Sequence, residues 1–118
     1  MPGLSIHAVD VARGVVAAGM QVEVFALRAG EERQLVARGT ISAKGTLDDA
    51  LLAATFTSGY YEAVFHVGAY YRAAGISLPQ IAFLDVVTYR FGLSEPQQHY
   101  HLPFKFTAWG YSCFRGGA

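Results

Sequence analysis

The sequence predicts an all-β fold, a β-sandwich with one short helix. Three observations carry this. Apolar and polar residues alternate with period 2 in a series of short runs, as half-buried strands require. Clusters of Gly and Ser separate most of these runs. One stretch alone has a helical composition closed by a glycine. Seven or eight short strands and one helix within 118 residues point to a sandwich. No internal repeat, low-complexity segment or interdomain linker interrupts residues 1–118, so they read as one domain, long enough to bury a core.

In chain order, Leu4–Val9 is a short first strand. Met20–Leu27 alternates cleanly and is a strand. Glu31, Glu32 and Arg33 form a polar break, after which Gln34–Ile41 is the next strand. Asp48–Ala54 is ambiguous: its Ala and Leu favour helix, its Thr and Gly neighbours a loop or short strand. Tyr60–Val67 is rich in aromatic and β-branched residues and reads as a strand. The helix is placed at Ala69–Ala74, stopped by Gly75. Phe83–Phe91, Tyr100–Phe106 and Trp109–Phe114 complete the strands.

Composition excludes several functions. Lys plus Arg equal Asp plus Glu, nine against nine, and a neutral chain is a poor binder of nucleic acid, whose affinity rests on neutralising phosphates. An apolar content of 53% argues against disorder. No apolar run is long enough for a transmembrane helix, so no membrane partner is expected. The opening Met1-Pro2-Gly3-Leu4 lacks the basic and apolar regions of a signal peptide. A single cysteine, Cys113, cannot close an internal disulfide, which fits a reducing, cytoplasmic location. Only 15% of residues are charged, a deficit expected where neighbouring subunits cover part of the surface.

Four histidines are the main chemical resource: His7, His66, His99 and His101. On a strand, His99 and His101 point to one face. Such a pair binds zinc only with a third ligand, and no further metal-binding spacing accompanies it, so no metal is expected. Cys113 sits in an aromatic, apolar tail and reads as a buried, inert thiol. Ser112 has no glycine elbow, and Gly110, Gly116 and Gly117 lack the strand-then-helix context of a phosphate loop. What remains is acid–base chemistry by imidazole, with no cofactor and no covalent intermediate. Whether His7 meets His101 is not decided by spacing.

Three stretches resemble the transthyretin-like family, in its 5-hydroxyisourate hydrolase branch. Leu4-Ser5-Ile6-His7-Ala8-Val9-Asp10 through Gly14 is similar to the family's opening Thr-His-x-Leu-Asp-x-x-x-Gly strand. Phe83-Leu84-Asp85-Val86-Val87 to Arg90-Phe91, then Gln98-His99-Tyr100-His101-Leu102-Pro103, resembles its central signature. Trp109-Gly110-Tyr111-Ser112-Cys113-Phe114-Arg115-Gly116 resembles its Gly-Tyr-Ser-Thr-Tyr-Arg-Gly-Ser end. The resemblance implies a transthyretin-like sandwich of two sheets and a homotetramer with active sites in a channel at the dimer–dimer interface. It also implies a small-molecule substrate, 5-hydroxyisourate from urate degradation, whose six-membered cyclic amide is opened by water. It assigns catalysis to His7, His101 and Arg115. One imidazole, His7 for instance, would take a proton from water while the other supports the growing oxyanion; Arg115 would pair with an anionic or carbonyl edge. Alternation puts His7 with Val9, His101 with Pro103, and Phe114 with Gly116 on shared faces, and the resemblance implies that these faces line the channel.

The sequence also departs from the family pattern. The mid-chain Gly-Arg is Gly45-Thr46, the tail tyrosine is Phe114, and the tail serine is Gly117, followed by Ala118. Substrate binding is therefore expected at Thr46, Phe114, Gly117, Val9 and Pro103, in a pocket less polar than usual. A hydrogen bond to a charged group contributes roughly 1.5–3 kcal/mol, so each lost contact costs about one to two decades of turnover if it acts in the transition state. An N-methylated hydroxyisourate would suit such a pocket. The alternatives are a non-catalytic small-molecule-binding protein of the same fold, which has no chemical need for both His7 and His101, and a structural partner in an oxidative catabolic complex. Lys105, flanked by Phe104 and Phe106, reads either as an edge-blunting strand lysine or as an altered subunit contact. His66 reads as a surface residue, and His99 as a support for His101.

Overall fold

A computed structural model of the chain describes residues 2–54 and 56–117; Met1 and Ala118, named above, lie outside them. Among the described residues eight strands form two four-stranded sheets. The first holds β1 (Gly3–Asp10), β2 (Val15–Val16), β7 (His99–Phe106) and β8 (Tyr111–Cys113), in the order β2-β1-β7-β8. The second holds β3 (Gln21–Leu27), β4 (Gln34–Thr40), β5 (Gly59–His66) and β6 (Val86–Leu93), in the order β4-β3-β5-β6. The two-sheet sandwich expected from the sequence is what forms. The one α-helix among the described residues, α1 (Val67–Ala73), follows β5 directly.

The core lies between the sheets. Leu4, Ile6 and Ala8 of β1 and Tyr100, Leu102, Phe104 and Phe106 of β7 face inward from one side. Val22, Val24, Ala26, Tyr61, Ala63 and Phe65 face them from the other. The rings of Phe65 and Phe104 stack across the gap with centroids 3.8 Å apart, so the two sheets touch through an aromatic pair. β1 and β7 pair in parallel, unlike every other ladder in the molecule's described residues. A parallel pair needs a long crossover, and here the whole second sheet and the helix supply it.

Several bounds differ from the sequence reading, and the last strand, expected at Trp109–Phe114, shrinks to Tyr111–Cys113. β6 begins at Val86 rather than Phe83. Residues 83–85 are drawn to the helix instead, with the Gly68 amide donating to the Asp85 carbonyl at 2.9 Å and Arg72 paired to the Asp85 carboxylate. The helix begins at Val67, two residues before the expected start, and ends where Gly75 takes a left-handed φ of 82°. The ambiguous Asp48–Ala54 segment resolves as a 3₁₀ turn, Ala50–Ala53, because Asp49 caps it by accepting from the Leu51 amide. The short β2 was not legible in the sequence. Lys105 is exposed, but β7 lies between β1 and β8, so it does not guard a sheet edge. Cys113 is half-buried rather than buried, and burial still pushes its thiol up to about 12.

Asp10 is the buried polar anchor of the fold. It is fully buried at the inward end of β1. Tyr71 donates its hydroxyl to one carboxylate oxygen at 2.8 Å and Tyr70 to the other at 3.1 Å, while Arg13 stands 3.8 Å away. Burial, then the Asp10 hydrogen bond, raises both phenol pKa values, so both tyrosines remain donors. This ties α1 to β1. Asp10→Ala strands two buried hydroxyls and is expected to destabilise the protein by about 3 kcal/mol, read as a lower urea midpoint. Tyr70→Phe and Tyr71→Phe should each cost less.

Candidate active site

The outward face of the first sheet carries three of the four histidines. Because inward positions take the apolar residues, alternation leaves Ser5, His7 and Val9 of β1, and His99, His101, Pro103 and Lys105 of β7, on the other side. The parallel register sets Ser5 opposite His101 and His7 opposite Pro103. His7 and His101, far apart in sequence, thus become diagonal neighbours on adjacent strands.

The loop after β4 closes one side of this patch. The Ala8 amide donates to the Gly45 carbonyl at 2.9 Å and the Leu47 amide to the Ile6 carbonyl at 3.1 Å, so residues 45–47 run beside β1 and Thr46 bridges to His7. Gly45 takes a φ of 85°, and a Cβ there would lie 2.8 Å from His7 Nε2. Only glycine gives the loop both the left-handed turn and the close approach. The Thr46 hydroxyl donates to Asp48 Oδ1 at 2.8 Å, so the side chain at the family's arginine position is occupied by its own loop.

The tail closes the other side. The Gly116 amide donates to the His101 carbonyl at 2.7 Å, and a Cβ on Gly116 would lie 2.9 Å from His101 Cδ2 and 3.2 Å from Pro103 Cδ. Gly117 has open space around it, and Phe114 is exposed. Val9 is half-buried, paired to Lys105 and Val16. Arg115 does not join the imidazoles in the single chain. Its guanidinium lies 3.8 Å over the Tyr100 ring and donates from one terminal nitrogen to Gln98 Oε1 at 3.0 Å and the His99 carbonyl at 3.3 Å. The structure therefore brings together His7, His101, Thr46, Pro103 and Gly116, holds Val9 two residues along the same face, and turns Arg115 toward the start of β7.

Two residues were passed over in the sequence. Ser5 lies 2.6 Å from His101 Nδ1 and 2.8 Å from His99 Nε2. Its signal was the alternation itself, since it shares a face with His7. Gln98 holds Arg115, and nothing in the sequence marked that contact. A cavity of about 720 Å³ opens beside the cluster, lined by Ser5, Thr46, His99, Asp48 and Asp49 among others. Burial first, then the neighbouring His7 and His99, push the His101 pKa below its ordinary value. His101 is thus held neutral near pH 7, the form that accepts a proton. His66 is engaged elsewhere, with Nε2 2.8 Å from Glu23 Oε1. Among the described residues no group of three or more His, Cys, Asp or Glu side chains is arranged to hold a metal ion. Nor is any helix long and apolar enough to cross a membrane.

The crowding at Gly116 makes a prediction. Gly116→Ala should push the His101 ring out of place and cost about 1–3 kcal/mol of stability, whereas Gly117→Ser, in open space, should leave the urea midpoint unchanged.

Comparison with known proteins supplies the family. The HIUase/Transthyretin family profile matches residues 4–116. The chain is 43% identical to the 5-hydroxyisourate hydrolase of Mesorhizobium japonicum over 96% of its own length and 90% of the relative's. It is 40% identical to 5-hydroxyisourate hydrolase 2 of Rhizobium meliloti, over 96% and 94%. Among solved structures, the 5-hydroxyisourate hydrolase of Klebsiella pneumoniae superposes with a TM-score of 0.78 at 28% identity, covering 99% of this chain and all of that one. An (S)-allantoin synthase superposes with a TM-score of 0.87 at 30% identity; the chain covers 43% of that longer protein. With the histidines of β1 and β7 on one sheet face, its glycine-packed tail and a match that runs almost from end to end, the chain belongs to the HIUase/Transthyretin family.

Proposed function

We propose that the protein is a cyclic amide hydrolase that opens the ring of 5-hydroxyisourate. The observation that carries this is the meeting of His7 and His101 on one open sheet face, in a chain 40% identical over nearly its full length to a 5-hydroxyisourate hydrolase. Water is the nucleophile. His101, held neutral by burial and by its histidine neighbours, takes the proton from that water as its oxygen bonds to the ring carbonyl carbon. His7 hydrogen-bonds the carbonyl oxygen as negative charge grows there. His101 then returns the proton to the ring nitrogen as the carbon–nitrogen bond breaks. This reverses the simpler assignment of the base to His7: the anchored Nδ1 of His101 leaves its Nε2 directed away from Ser5. Arg115, turned toward the start of β7 in the single chain, takes the polar edge of the ring in the assembled tetramer, through the guanidinium nitrogens not engaged by Gln98 and His99.

The site lies on an uncovered sheet face, which supports a homotetramer in which a second dimer closes it. Exposed Val15, Val86, Tyr111 and Phe114 supply apolar surface for such contacts. The reading includes a cytoplasmic location, supported by a chain with one cysteine and no need of a disulfide. Thr46 spends its hydroxyl on Asp48 and supplies no positive charge, which favours a ring with fewer polar edges, such as an N-methylated hydroxyisourate.

Hydroxyisourate generated in situ and followed by its ultraviolet decay tests the activity. Wild type should accelerate the decay, and His7→Ala and His101→Ala should each slow it about 100-fold or more. No acceleration by wild type rejects the reading. Thr46→Arg should raise turnover of the plain ring by about one to two decades; equal turnover of plain and N-methylated rings by wild type would exclude the altered preference. Because the His101 pKa is lowered, the acid limb of the kcat/KM profile should fall below the ordinary histidine value of 6.5. Light scattering should give the mass of four chains.

A further inference from the structure

We propose that Ser5 is a positioning residue that couples the tautomers of His99 and His101 and passes a proton between them. This rests on the hydrolase reading above. The parallel register puts Gly3 opposite His99 and Ser5 opposite His101, so the Ser5 side chain stands between the two imidazoles. Its Oγ is 2.8 Å from His99 Nε2, an ordinary hydrogen bond, and 2.6 Å from His101 Nδ1, a short one. A serine hydroxyl has one proton and two lone pairs. It can donate to one ring only and must accept from the other, so the two tautomers are not independent. When His101 carries its proton on Nδ1 and donates it to Ser5, Ser5 donates to His99 Nε2. His99 then carries its own proton on Nδ1, and His101 Nε2 is an open lone pair.

That state is the one a general base needs. As His101 Nε2 takes a proton from water, its Nδ1 proton moves to Ser5 Oγ, and the Ser5 proton moves to His99 Nε2. His101 and Ser5 remain neutral, and the positive charge rests on His99. This avoids a doubly protonated His101, the form that burial and the neighbouring histidines oppose. His99 lines the same cavity as Asp48 and Asp49. When the ring carbon–nitrogen bond breaks, His101 Nε2 gives its proton to the leaving nitrogen and the relay runs back. The net change is one water added across the bond, with nothing oxidised or reduced.

Ser5→Ala and Ser5→Thr separate this from a structural role. Nitrogen-15 spectra of the imidazoles should show His99 and His101 both protonated at Nδ1 in wild type. In Ser5→Ala His101 should shift toward the Nε2-protonated form. On hydroxyisourate, Ser5→Ala should lower kcat about 100-fold with KM within about twofold, and Ser5→Thr should recover kcat to within about threefold. In mixtures of light and heavy water, kcat should vary nonlinearly with deuterium content in wild type and Ser5→Thr, as several moving protons require, and linearly in Ser5→Ala. An unchanged kcat in Ser5→Ala, a linear dependence in wild type, or tautomers that ignore the substitution would each overturn the relay. If wild type does not hydrolyse hydroxyisourate, the functional reading fails, and the spectra alone still decide whether Ser5 couples the rings.

Discussion

The parallel pairing of β1 with β7 is the constraint on which the rest of the structure depends. Its register is set by burial. Leu4, Ile6 and Ala8 must face the same core as Tyr100, Leu102, Phe104 and Phe106, and Phe104 must meet Phe65 of the other sheet. A slip of one residue would turn this apolar set to the outside and send His7, His99 and His101 into the core. The hydrophobic effect, which has no interest in the histidines, thereby places them. Ser5 falls opposite His101 for the same reason, and the hydrogen bonds between them follow.

Two close approaches complete the patch from outside the ladder. Gly45 lets the loop after β4 lie against His7, and Gly116 lets the tail lie against His101 and Pro103. Each is held by a backbone hydrogen bond to the strand it covers, from the Ala8 amide to Gly45 and from the Gly116 amide to His101. The walls of the site are therefore main chain rather than long side chains. That is consistent with a pocket in which the position of the family's mid-chain arginine is filled by Thr46, already bonded to Asp48. At the far end of β1, Asp10 fixes the helix through Tyr70 and Tyr71, so one strand carries a structural anchor and, three residues earlier, a histidine of the site.

Most of the strands were legible because half-burial imposes a period of two on the sequence. The readings that shifted did so where a tertiary contact overrode the local pattern. Phe83-Leu84-Asp85 continues the apolar run into β6, yet Asp85 is held by Gly68 and Arg72 of the helix and leaves the ladder. Lys105 reads as an edge residue from its aromatic flanks, but edge status depends on which strand lies beside β7, and β8 does. At the site, His7 and His101 were found through family motifs, and Thr46 by the departure from them. Arg115 illustrates the limit: the arginine is kept although its neighbours Phe114 and Gly117 depart from the motif, while its direction is set by the Tyr100 ring, Gln98 and a backbone carbonyl.

By itself the sequence determined the all-β class, the faces on which His7, His99 and His101 stand, and the loss of charge at position 46. These are properties of alternation and residue identity, which are local. The tertiary structure alone decided that β1 and β7 lie side by side and parallel, that His7 and His101 are therefore neighbours, and that one hydroxyl bridges two imidazoles. The pairing of strands some ninety residues apart is chosen by the burial of a shared core, and no spacing along the chain encodes it.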